Sequence, residues 1–230
     1  MYRLPILYTT DMNIVVLDSK HWPEAHKNGV REHDVRKAAE KAANEVTEII
    51  SFVPSYVNLV LHPVPKGEAI PEIGVSGMTY SDEYSSVFFE SDVRYGKSQL
   101  LEEIRTTTYH ELTHAATFQY EPWQPGALYG AVTEGLATVF ERDYAGSKPL
   151  WGRYESDDTM QGWLGDLKKL PVGDSKNMDY FIKHPDGRKW IVYKTGTWII
   201  DKLLADGEDL FELMKLKHTD VLAKFDKLDT

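Results

Sequence analysis

The residues of this chain best arranged to do chemistry are His110, Glu111 and His114, in the segment Tyr109-His110-Glu111-Leu112-Thr113-His114, which reads H-E-x-x-H. On a helix, positions i and i+4 stand one above the other on one face, so both imidazoles reach the same metal ion. Glu111 is turned by about 100° around the axis. There it meets a metal-activated water as general base and is not itself a ligand. The stripe that carries the two histidines also holds Thr107 and Thr117, with Glu103 below. Leu101, Ile104, Leu112 and Ala115 form a separate apolar stripe that anchors the helix. A histidine pair placed only for packing would have apolar neighbours, and these do not.

A catalytic zinc ion takes three protein ligands and keeps a fourth position open. The chain has no cysteine, so the third ligand must be another histidine or a carboxylate. Glu134, in Val-Thr-Glu-Gly-Leu-Ala-Thr, shares a helical stripe with Ala127, Gly130, Ala131 and Thr138. Such small residues let helices approach closely, as a carboxylate must to come within about 2 Å of a metal. Glu141 and Glu121 are the alternatives. The set His110, His114 and Glu134 thus calls for one Zn2+ ion, with Glu111 moving protons beside it.

These groups must be carried by a folded scaffold. The chain has 230 residues, of which 42% are hydrophobic and 27% charged, enough for one substantial domain. Its formal charge of −10 repels phosphate backbones and anionic membrane surfaces. Nucleic acid is therefore not an expected partner, and no apolar run is long enough to insert in a membrane. The opening MYRLPILYTTDMNIVV lacks a long apolar run and a small-residue cleavage site. A cytoplasmic location is the expectation, with a secreted form left open.

Helical spacing over residues 31–52 predicts a helix, and Tyr56 to Leu61 predict a strand closed by His62 and Pro63. The runs GVSGMTY and SSVFFES, around Ser81, Asp82 and Glu83, predict a hairpin. A helix is expected from Ser98 as N-cap to about Gln119, and a second over about 128–144. Further helices are expected at about 158–169, 188–205 and 208–227, around a loop at 170–188. The fold class is α+β, with a small N-terminal mixed sheet and a mainly helical C-terminal part. The expected organisation is a single domain, residues 1–230, with lobes of about 1–119 and about 120–230.

Other conspicuous residues carry plainer readings. His21, His26 and His33 are not spaced as compact ligands, and His62 and His218 read as structural. Trp123, Trp151 and Trp163 read as packing residues. The acidic run at Glu155, Asp157 and Asp158 reads as a solvated helix start, too short an array for calcium.

H-E-x-x-H with nineteen residues between its second histidine and a helical glutamate resembles the gluzincin branch of zinc metallopeptidases, which includes the thermolysin-like enzymes. The text TTTYHELTHAATFQY…VTEGLATVFERD is similar to a set of bacterial zinc-dependent proteases. The likeness covers about residues 98–145, with an echo around residues 190–204. It implies a zincin-like fold with an edge strand beside the active-site helix, and a peptide or protein substrate. It also implies a downstream oxyanion donor, for which Tyr193 in Trp-Ile-Val-Tyr-Lys-Thr-Gly is the match and His184 the competitor. A core aromatic is the plainer reading of Tyr193. Thermolysin-like enzymes carry an aspartate four residues after the ligand glutamate, where this chain has Thr138. A catalytically silent zinc-binding protein on the same fold is the alternative to an active peptidase.

Overall fold

The computed structural model describes residues 11–173 and 177–228. The reading of the first ten residues, and that of part of the loop at 170–188, lie outside them. The chain divides into two compact units, Met1–Ala116 and Thr117–Thr230.

In the first unit, β1 (Asp11–Val16) is followed by α1 (Trp22–Lys27), α2 (Glu32–Ile49), β2 (Tyr56–Val64), β3 (Val75–Ser81), β4 (Tyr84–Glu90) and α3 (Lys97–Phe118). The strands form one mixed sheet in the order β1-β2-β4-β3. β1 and β4 run parallel to β2, and β3 is antiparallel to β4. A parallel neighbour requires a crossover, and α1 with α2 supply it between β1 and β2. α2 buries Val35, Ala39, Ala42, Ala43 and Val46, an apolar stripe at helical spacing. Its entry is fixed by Asp34, which accepts the Arg31 backbone N–H at 2.8 Å.

Alternation along β2 sets which face of the sheet is buried, whereas β4 is buried on both faces at Ser85, Ser86 and Val87. Val57, Leu59 and Leu61 of β2 and Ser85, Val87 and Phe89 of β4 are buried, while Asn58, Val60, His62 and Phe88 between them are partly exposed. The sheet packs on α3, and β3 is one of its two edge strands, β1 being the other. The expected hairpin is present, with Ser81 paired to Tyr84 at its tight end. β2 runs past the expected stop at His62 and Pro63 to Val64. The last β1 partner is Leu61, opposite Val16. Beyond it β2 is open on one side, where a residue without an N–H is tolerated. α3 starts at Lys97, because the Gly96 carbonyl already accepts from Leu100 N at 3.1 Å. Ser98 therefore lies inside the helix and is not its N-cap.

The second unit is mainly helical. α4 (Ala127–Tyr144) leads through a 3-10 turn at Leu150–Gly152 to α5 (Asp157–Lys168), α6 (Asn177–Phe181), α7 (Ile191–Ala205), α8 (Leu210–Leu213) and α9 (His218–Phe225). Its centre is the crossing of α4 on α7. A Cβ added at Gly135 would strike the Gly196 backbone, and one added at Gly196 would strike the Ala131 carbonyl. Only glycine admits so close an approach. Around the crossing, Leu136, Val139, Phe140, Ile199, Ile200 and Leu203 are buried, and Trp198 stacks edge-on to Phe225 at 5.0 Å.

In this unit α6 falls within the loop expected at 170–188, and two further boundaries differ from the sequence reading for visible reasons. α7 begins at Ile191 because Trp190 adopts a left-handed backbone (φ 59°) and its N–H bonds back to the Ile182 carbonyl at 3.1 Å. The single helix expected over 208–227 is two short helices. Glu121 takes the His218 backbone N–H at 2.6 Å, a donor that an unbroken helix would direct to the carbonyl four residues earlier. Among the described residues no helix is long and apolar enough to cross a membrane.

Candidate metal centre

α3 is buried on more than one face through its second half. Ile104, Leu112 and Ala115 are fully buried, as are the hydroxyl-bearing Thr108 and Thr113. The two threonines return their hydroxyls to the Ile104 and Tyr109 carbonyls at 2.8 and 2.9 Å, which satisfies them within the helix. The helix can thus be deeply packed and still present imidazoles one turn apart. His110 is buried and His114 half-buried, with ring centroids 4.8 Å apart at 74°.

One donor atom from each of His110, His114 and Glu134 lies within 4.8 Å of the others. Two imidazoles and one carboxylate at that separation are within reach of one ion after small side-chain adjustment, given bonds of about 2 Å. The donor set suits zinc and its first-row neighbours alike. The two reserve carboxylates have other partners. Glu141 accepts from Ser147 Oγ at 2.8 Å, and Glu121 accepts from the His218 backbone and from its Nδ1 at 2.8 Å.

The stripe of small residues next to Glu134 has a different partner from the one the sequence reading assumed. A Cβ at Gly130 would meet the Phe181 ring and Val192, and the Ala131 carbonyl abuts Gly196. These residues admit α6 and α7 to α4. The consequence for the site is still close, because Glu134 precedes Gly135 in that crossing. Thr138, where the resemblance calls for an orienting aspartate, is fully buried and its hydroxyl has no hydrogen-bond partner. It orients no histidine.

Glu111 is 4% exposed and lies against the inner side of β3. A Cβ at Gly77 would overlap its carboxylate, so the strand makes room for it by having no side chain there. Thr79, two residues along, donates from Oγ1 to Glu111 Oε2 at 2.7 Å. Sequence spacing pointed to Glu111 itself, but nothing local marked Gly77 or Thr79 as its neighbours.

Tyr193 is half-buried in the first turn of α7. Its ring meets Trp151, Trp190 and Phe181 at centroid distances of 5.6, 5.7 and 6.3 Å. It follows Val192, which packs on Gly130, and precedes Gly196, which packs on Gly135. Tyr193 therefore lies on the part of α7 that runs beside Glu134. His184 sits in the loop before α7, with Nδ1 2.8 Å from Asp186.

His218 reads from the sequence as structural, but the partners that hold it are not legible there. His218 is held by Glu121 through ring and backbone, and Tyr129 meets the His218 ring edge-on at 5.6 Å. Burial, with the carboxylates of Glu121 and Glu134 nearby, pushes the Tyr129 phenol up to about 12. No sequence signal links Glu121 to a residue 97 positions away.

Comparison with known proteins returns no matching family model, no matching curated protein and no matching solved structure. What stands on geometry alone is an α+β fold that carries a candidate metal-binding group of His110, His114 and Glu134.

Proposed function

We propose that the chain is a zinc-dependent peptidase of the gluzincin type, a single zincin-like domain whose two lobes are the two compact units. His110, His114 and Glu134 hold one zinc ion. When bound, that ion supplies Lewis-acid activation of a water and of the scissile carbonyl. Glu111 takes the water proton and passes it to the leaving amine. Tyr193 donates its hydroxyl to the developing oxyanion. It is preferred to His184 because its helix packs directly on the helix that carries Glu134, whereas His184 is engaged by Asp186.

The observation that carries this reading is the placement of Glu111. A metal held only for structure needs no acid beside it. Here a buried carboxylate follows directly on His110 and is seated against an edge strand that leaves space for it. A peptide laid along the open side of β3 would add a strand to the sheet, with main-chain hydrogen bonds for affinity.

The test is cleavage of a broad library of unstructured peptides by the zinc-loaded protein and by Glu111→Gln at equal metal content. The expected result is cleavage by the wild type and a loss of roughly a hundred- to ten-thousandfold in the variant. Stoichiometric zinc without cleavage of any peptide would overturn the peptidase reading.

A further inference from the structure

The inner face of the sheet is apolar along Val57, Leu59, Leu61, Val87 and Phe89, with two hydroxyl residues set into it. Thr79 and Ser85 are cross-strand partners in the β3–β4 ladder. Ser85 is completely buried, and its Oγ lies 2.9 Å from Thr79 Oγ1. A buried hydroxyl costs free energy unless it is bonded, so the pair needs an end point. That end point is Glu111: Thr79 Oγ1 lies 2.7 Å from Oε2 and 3.0 Å from the Glu111 backbone carbonyl.

A threonine hydroxyl has one proton to give. The shorter contact is to the anionic oxygen, where the bond is charge-assisted. Thr79 therefore donates to Glu111 Oε2, which leaves Ser85 to donate to Thr79. The direction of the chain is fixed: Ser85 to Thr79 to Glu111.

We propose that Ser85 and Thr79 are positioning residues for the general base, a role that rests on the peptidase reading above. Their bond locks rotation of the Glu111 carboxylate against Gly77. The proton that Glu111 takes from water then leaves for the amine nitrogen as the C–N bond breaks, and Thr79 stays bonded to Oε2 throughout. Neither hydroxyl gains or loses a proton over the cycle.

The experiment compares Thr79→Val, Thr79→Ser and Ser85→Ala with the wild type in the zinc-loaded protein. It measures kcat, KM, zinc content and thermal midpoint, together with crystal structures of the metal-free proteins. Thr79→Val is expected to lower kcat by roughly ten- to a hundredfold, the scale of a displacement of about 1 Å in a catalytic group. KM and zinc content should stay unchanged, and the metal-free structure should show the carboxylate turned away from Gly77. Thr79→Ser should recover kcat to within about threefold, because it restores the same donor. Ser85→Ala should fall between the two, since it weakens the chain without breaking its last bond.

A Thr79→Val protein with kcat within about twofold of wild type, or with Glu111 still seated over Gly77, would overturn the proposal. A fall in kcat that Thr79→Ser does not rescue would do so too, since it would mark a packing role. A wild type that cleaves no peptide overturns the reading in the preceding subsection. The position of Glu111 in metal-free Thr79→Val then still decides whether Thr79 holds it.

Discussion

The carboxylate of Glu111 occupies the space in which any residue but glycine at position 77 would place its Cβ. The general base proposed here and one edge strand of the sheet are thereby built as one unit: β3 omits a side chain where α3 inserts one.

Gly77→Ala should therefore damage chemistry more than metal binding. The added methyl would force Glu111 out of its seat, while His110 and His114 project from the helix about 100° and 60° around the axis from it. The expected outcome is a fall in kcat of roughly a hundredfold with zinc content unchanged. Steady-state kinetics with metal analysis checks it, and an unchanged kcat would refute the fit between the two residues.

Gly196→Ala tests the crossing of α4 on α7. The new Cβ would meet the Ala131 carbonyl, a backbone group that cannot rotate away. Overpacking of this kind costs about 3 kcal/mol, which urea denaturation would read as a lowered midpoint at constant slope. Because the helix that must shift carries Glu134, the affinity for zinc should fall in the same variant.

The carboxylates can be told apart by metal affinity. Glu134→Ala should weaken zinc binding by more than about a hundredfold, beyond the usual cost of losing an outer partner. Glu141→Ala and Glu121→Ala should leave it within about tenfold, since those side chains serve Ser147 and His218. Competition titration against a chromogenic chelator would distinguish these outcomes.

His62 gives a pH dependence of stability away from the site. Its Nε2 is buried without a partner and its ring stacks on Phe88 at 4.8 Å. Burial holds its pKa below the ordinary value of 6.5. In the unfolded chain the ring regains that value, so below it the unfolded state binds a proton that the folded state refuses. Stability is then full above the ordinary value and declines as pH falls toward the folded one. Thermal midpoints from about pH 7.5 to about pH 5.5 should fall more steeply in the wild type than in His62→Phe. Parallel curves would rule out His62 as the cause.

The sequence carried those features that depend on neighbours a few residues apart. Two β-favouring runs around a polar turn made the β3–β4 hairpin legible, and the i, i+4 pairing of His110 with His114 was a matter of helix geometry alone. Glu134 was reachable too, although its small neighbours were credited to the wrong contact. Features set by distant partners were not legible. The break between α8 and α9 depends on Glu121, and the seat of Glu111 depends on Gly77 and Thr79 more than thirty residues earlier. β2 passes through Pro63 only because β1 has already ended, which no window around Pro63 reveals.

The most direct measurement is the zinc content of the purified protein, by elemental mass spectrometry, for the wild type beside His110→Ala and Glu134→Ala. One zinc ion per wild-type chain, and next to none in either variant, is the outcome expected if His110, His114 and Glu134 form one metal centre. A wild type that binds no zinc, or variants that keep a full equivalent, would contradict it.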